Sequence, residues 1–206
     1  MQKGFRLLML GLLLVLPFVV WAQEKTPPAH YKVDPAHTQV LFKVRHMGIS
    51  WVTGRFEAVD ADIWVDPSNL STFRVEAIIP VASIDTGNEK RDNHLKSADF
   101  FDGERYPQIT FVSKEVKSVE GSRFTVVGDL TIKGITKPVT LNVEYLGQAR
   151  DPWGNTRIAF LADGRIDRRE FGLTWNKALE TGGFLVGNEV RIQLEVQAIQ
   201  QAEGTR

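Results

Sequence analysis

The feature that most constrains this chain is alternation with a period of two. From Thr38 to His46, Val40, Phe42 and Val44 fall on one side while Gln39, Lys43 and Arg45 fall on the other. From Phe73 to Val81 the apolar set is Phe73, Val75, Ala77, Ile79 and Val81, set against Arg74 and Glu76. Phe124, Val126, Gly128, Leu130 and Ile132 repeat the pattern, as do Val139, Leu141, Val143 and Tyr145. Val190, Ile192, Leu194 and Val196 complete it, interleaved with Arg191, Gln193, Glu195 and Gln197. Successive side chains of a strand point to opposite faces, so the pattern predicts half-buried strands. Turn residues punctuate these runs at Asp66-Pro67-Ser68-Asn69, Glu120-Gly121-Ser122, Lys133-Gly134-Ile135-Thr136 and Asp151-Pro152-Trp153-Gly154-Asn155. They mark off about eight or nine strands with short connections, the signature of antiparallel neighbours in a sandwich or barrel.

One charged segment, Ser83 to Asp102, breaks the rhythm. Asn88 is a predicted N-cap with Glu89 in the first turn, which places a short helix over Glu89–Lys96. An irregular loop follows over Ser97–Tyr106, and its Phe100-Phe101 pair is expected to plug one end of the β structure.

Amphipathic antiparallel strands have two exposed edges unless the sheet closes. A barrel of about eight strands is just wide enough to be filled by side chains or to hold one small ligand. The inward set holds Phe42, Phe56, Phe73, Phe111, Phe124 and Phe160 among many Val, Ile and Leu, with almost no charge. Such an interior can shelter a hydrocarbon, or it can simply be a packed core; composition does not separate the two.

Residues 1–22 stand apart. Lys3 and Arg6 precede an apolar run from Leu7 to Val20, and Val20-Trp21-Ala22 ends it, the pattern of an export signal cleaved after Ala22. The run falls short of the about 20 apolar residues that span a bilayer, so no stable membrane anchor is expected. Residues 23–30 read as a linker, 31–200 as one barrel domain and 201–206 as a tail. The expected compartment is the periplasm.

With 25 Lys plus Arg against 25 Asp plus Glu, the chain has no net charge to favour nucleic acid as a partner. Without cysteine it has no disulfide framework, thiolate metal site or cysteine nucleophile. His30, His37, His46 and His94 match no zinc spacing, and no metal or cofactor site is expected. Arg91-Asp92-Asn93-His94-Leu95 offers a base without a nucleophile, since Ser83 and Ser97 lack a supporting motif. No catalytic residue is assigned; Arg91, Asp92 and His94 are expected to tie a lid helix to the barrel rim. Trp51, Trp64, Trp153 and Trp175 are read as packing, Trp153 as the cover of an open barrel end. Trp51, near the His46 bend, is also placed to touch a ligand head group.

Six stretches together resemble one family: FKVRHMGISWVTGRF at 42–56, SIDTGNEKRDNHLKSADFF at 83–101, YPQITF at 106–111, GDLTIKGITKPVTL at 128–141, DPWGNTRIAF at 151–160 and FGLTWN at 171–176. In content and order they are similar to the YceI-like proteins, exported bacterial proteins of lipocalin-like shape. The resemblance implies an all-β, antiparallel eight-stranded lipocalin-like barrel with a short helix and loop at one end. It also implies a binding or carrier role for an isoprenoid lipid or quinone-like amphiphile, with some members homodimeric. Phe42, Val44, Phe56, Ile63, Val75, Ile79, Phe111, Leu130, Leu141, Phe160, Leu173 and Ile192 would then line a tunnel. Trp51 with the nearby His46, and the helix of His94 with Phe100 and Phe101, would form its mouth or plug, and Trp175 would extend the apolar lining. Two alternatives stay open: an enzyme acting on such a lipid through His94 or His46, and a packed barrel that works through its outer surface.

Overall fold

The computed structural model describes residues 27–180 and 182–202. The expected export signal and the end of the C-terminal tail lie outside the described residues. The strands are β1 (Ala29–Val33), β2 (Gln39–His46), β3 (Ser50–Phe56), β4 (Asp60–Asp66), β5 (Asn69–Pro80), β6 (Ile84–Asp85), β7 (Gln108–Glu120), β8 (Arg123–Ile132), β9 (Ile135–Arg150), β10 (Thr156–Asp167) and β11 (Val186–Gln200), with one helix, α1 (Glu89–Lys96).

All pairings between these strands are antiparallel, and β1-β4-β5-β7-β8-β9-β10-β11 form a ring that closes where Tyr31, Lys32 and Val33 pair with Gln200, Ile199 and Ala198. The eight-stranded barrel expected from the sequence is therefore present. Eleven segments appear because three long strands are interrupted. The Asp34–Thr38 corner, with Pro35, separates β1 from β2; residues 57–59 separate β3 from β4; Pro80 ends β5 before the turn to β6. Proline removes a ladder donor, which explains the breaks at Pro35 and Pro80. Above the corner, β11 leaves β1 and pairs with β2, and β2 pairs with β3. The short β6 meets β3 only at Arg55 and Phe56. Helix α1 and the segment after it lie between β6 and the start of β7.

Local chemistry sets the turns. Lys133 and Gly134 both have positive φ (51° and 74°), which matches the right-handed twist of the two strands they join. At α1, the Asn88 side chain accepts a hydrogen bond from the Arg91 amide and caps the helix as predicted. Asp92, almost wholly buried, accepts from the Thr86 amide at 2.9 Å and its hydroxyl at 2.5 Å. Arg91 donates to the Thr86 hydroxyl and carbonyl at 2.7 and 2.8 Å. Two of the three expected ties thus hold the helix to the residue following β6. The third does not: His94 bonds Asp99, five residues along its own segment.

The barrel has unlike ends. The lower one carries the β4–β5, β7–β8 and β9–β10 turns and is packed solid by Tyr31, Val65, Phe124, Ile158, Phe160 and Ala198, each at most 2% exposed. Phe73 and Phe160 rings meet at 5.2 Å, as do Phe73 and Phe124. Outside this plug, Arg157 donates to Asp34 at 2.6 Å and to Asp151 at 2.9 Å, clamping the β9–β10 turn to the β1–β2 corner. Trp153, expected to cover an open end, covers nothing. It projects from this turn with 81% of its surface exposed, because Phe124 and Phe160 have already filled the end it would seal.

Candidate functional site

Above the Phe73–Phe160 floor the barrel is hollow. The cavity has a volume of about 240 Å³, and its wall is contributed by every strand of the ring together with β2, β3, α1 and the residues after it. Inward-facing residues of β2 and β11, such as Phe42, Val44, Ile192 and Leu194, are only half-buried, whereas the floor residues have almost no exposed surface. A side chain that points inward and still keeps accessible surface borders empty space. This difference decides between a filled core and a cavity.

Glycine placement keeps the hollow open. Phe42 lies across from Gly54 on β3, and a Cβ built at Gly54 would fall 2.3 Å from the tip of the Phe42 ring. The missing side chain lets the ring lie flat against the neighbouring strand. Phe56 then contacts Phe42 at 5.7 Å and Phe101 at 6.0 Å, so the wall runs on into the segment after α1.

Only two wall residues carry polar side chains, and neither presents one to the cavity. The Thr38 hydroxyl donates to the Gln197 carbonyl and accepts from the Gln197 amide. Arg168, 3% exposed, donates from Nε to the Gly187 carbonyl at 2.8 Å, from Nη1 to the carbonyls of Leu173 and Trp175, and from Nη2 to that of Val186. Burial pushes its pKa down, yet a guanidinium keeps its proton in proteins. Its charge is spent on holding the segment that joins β10 to β11. Sequence reading missed Arg168, although the signal was there: Phe160, Ala162, Gly164 and Ile166 put the next even position on the inward face.

Every residue predicted for the tunnel wall, from Phe42 to Ile192, lines the cavity, as do Phe100 and Phe101. Four predicted site residues do not. Trp51 lies on the outer face, its ring in contact with the guanidinium groups of Arg45 at 4.3 Å and Arg191 at 4.5 Å. Phe56 fixes the phase of β3, and an odd-numbered partner five residues earlier must point outward. His46 pairs with Ser50 and Val186 at the strand end and takes no part in the wall. His94 and Trp175 stack edge to face at 4.8 Å behind Phe100, which alone of the three reaches the cavity. The wall therefore carries no general acid or base. What it offers is a non-polar lining.

The YceI-like domain matches residues 31–198. The chain is 38% identical over 175 residues to the protein YceI of Escherichia coli O157:H7, covering 84% of this chain and 88% of that protein. Among solved structures, BcnA of Burkholderia cenocepacia superposes with a TM-score of 0.70 at 28% identity, over 80% of this chain and 98% of BcnA. A polyisoprenoid binding domain from Saccharophagus degradans, implicated in plant cell wall breakdown, has a TM-score of 0.60 at 14% identity, over 84% of this chain and 99% of that domain, and shares the fold. With its whole barrel matched in sequence and in shape, this chain belongs to the YceI-like family.

Proposed function

We propose that this protein is a periplasmic carrier that takes the hydrocarbon tail of an isoprenoid lipid, of quinone or polyprenyl type, into the barrel. The observation that carries the reading is a cavity of about 240 Å³ whose wall presents no polar surface. An apolar cavity of about 150 Å³ holds one benzene ring, so a space of this size takes about ten carbons of a chain. Each buried methylene contributes about 0.8 kcal/mol. About ten of them therefore reach the middle of the 4–15 kcal/mol range for association entropy. A head group finds no partner inside, so it stays at the upper end while the tail is sequestered. The isoprenoid class is supported by the polyisoprenoid-binding neighbour of the same fold. Export is supported by the charged and apolar pattern of residues 1–22. A wall without an acid or base favours binding over turnover.

The test is lipid extraction from protein recovered from exporting cells, followed by mass spectrometry. One isoprenoid lipid per barrel is the expected result. Protein from such cells with no stoichiometric lipid overturns the reading.

A further inference from the structure

At the upper end three large apolar side chains face solvent together. Ile49 is 80% exposed, Phe184 62% and Met47 43%. Ile49 and Met47 sit in the β2–β3 turn, and Phe184 in the loop before β11. Backbone bonds hold these segments side by side: the Met47 amide donates to the Leu185 carbonyl at 2.8 Å, and the Leu185 amide donates to the Lys177 carbonyl at 2.9 Å. Val186, next along the chain, pairs with His46 and lines the cavity. Val186 in the cavity wall is thus joined through Leu185 to the exposed Phe184.

Cations stand directly beneath them. Lys43 and Arg45 lie on β2, Arg191 on β11 and Lys177 at the foot of the loop. Among the described residues, Lys43, Arg45 and Lys177 have no carboxylate within ion-pair distance, while Arg191 shares Glu189 at 2.9 Å. Glu180 is the acidic residue of the loop itself, while Glu189 lies on β11. Trp51 contacts both Arg45 and Arg191, an amphipathic ring at the level of the charges. At the lower end Trp153, Val119 and Leu146 are exposed as well, but Trp153 stands in a turn organised by the carboxylate of Asp151.

We propose that this upper end docks on an anionic lipid bilayer. Met47, Ile49 and Phe184 enter the interface, Trp51 sits at the head-group level, and the cations meet lipid phosphates. A second copy of the chain is disfavoured as the occupant, because a two-fold contact would set the cation belt against itself. The inference deepens the carrier reading, on which its purpose rests, by naming where the lipid is collected and delivered.

Flotation with vesicles of phosphatidylglycerol and phosphatidylethanolamine tests it. The wild-type protein is expected to float with them, less so as salt rises. The double substitution Ile49→Asp with Phe184→Asp should weaken binding by about tenfold or more, with the thermal unfolding midpoint unchanged. Lys43→Gln with Arg45→Gln should weaken binding and flatten its salt dependence. Wild-type protein that stays in solution, or an aspartate variant that floats as well as wild type, overturns the proposal. So does a wild-type dimer that the aspartate variant splits in sedimentation equilibrium without any flotation, which would mark the tips as a self-association surface. Lipid extraction from the same preparations keeps the two readings apart. Protein that carries isoprenoid and does not float overturns docking alone, and protein that floats without isoprenoid upholds docking and overturns the carrier reading.

Discussion

At the lower end of the barrel Phe73, Phe124, Tyr145 and Phe160 meet ring against ring; at the upper end Phe42, Phe56 and Phe101 lie round a space that none of them fills. Both ends draw on the same residue types. The difference lies in what each ring faces. Below, β5, β8, β9 and β10 send rings to one point on the axis. Above, Phe42 and Phe111 lie over glycines of the next strand, and a Cβ at Gly128 would fall 2.4 Å from the Phe111 ring. Rings laid on the wall stiffen it without occupying the middle. One end therefore supplies stability, and the other is free to exchange its contents.

Several changes would break or sharpen that contrast. The largest effect is expected from Phe160→Ala, which deletes a floor ring and should cost about 3–5 kcal/mol in urea unfolding. Phe42→Ala should cost less than half as much, since that ring already borders empty space. Equal losses would mean that the two ends are packed alike. Arg168→Leu comes next, at about 3 kcal/mol, because it strips the buried carbonyls of Leu173, Trp175 and Gly187 of their donor. Hydrogen exchange should then rise first in the segment between β10 and β11.

Overpacking sharpens the contrast further. Ala198→Phe at the wholly buried lower end should cost about 1–3 kcal/mol, while Ala77→Phe should cost under about 1 kcal/mol and fill part of the hollow. The lipid recovered from the Ala77 variant should fall even though the protein stays folded. The smallest effect concerns the clamp at the lower end. Burial by itself would raise the Asp151 carboxyl, but hydrogen bonds from Asn155, Arg157 and Trp153 outweigh it and lower the pKa to about 2. The clamp's contribution is whole above about pH 4, where the unfolded carboxyl is also ionised, and is lost as the pH falls towards 2. Wild type should accordingly be slightly more stable than Asp151→Asn at neutral pH, and the two should converge in acid unfolding monitored by circular dichroism.

Much of the fold was legible because its signals are local. Asn88 and Glu89 placed α1 at the bounds it has, and the four turn clusters fall between the strands they were expected to separate. The inward set was legible from phase, and the phase also contained two facts that residue type obscured. Trp51 invited a role in binding by its chemistry, yet its register with Phe56 turns it outward to two arginines. Arg168 drew no attention as one arginine among many, yet its register with Ile166 turns it inward. His94 could not be placed in this way, because its neighbours Phe100 and Trp175 come from an irregular loop and a distant segment, where no period applies.

The sequence by itself determined which residues form strands, which face each shows to the interior and where the chain turns, because these follow from a period of two and from the φ preferences of a few residues. Only the tertiary structure decided that the interior is solid below and empty above. That depends on whether rings from strands far apart in the chain converge on the axis or lie over a glycine across the sheet, a distance in space that spacing along one strand does not encode.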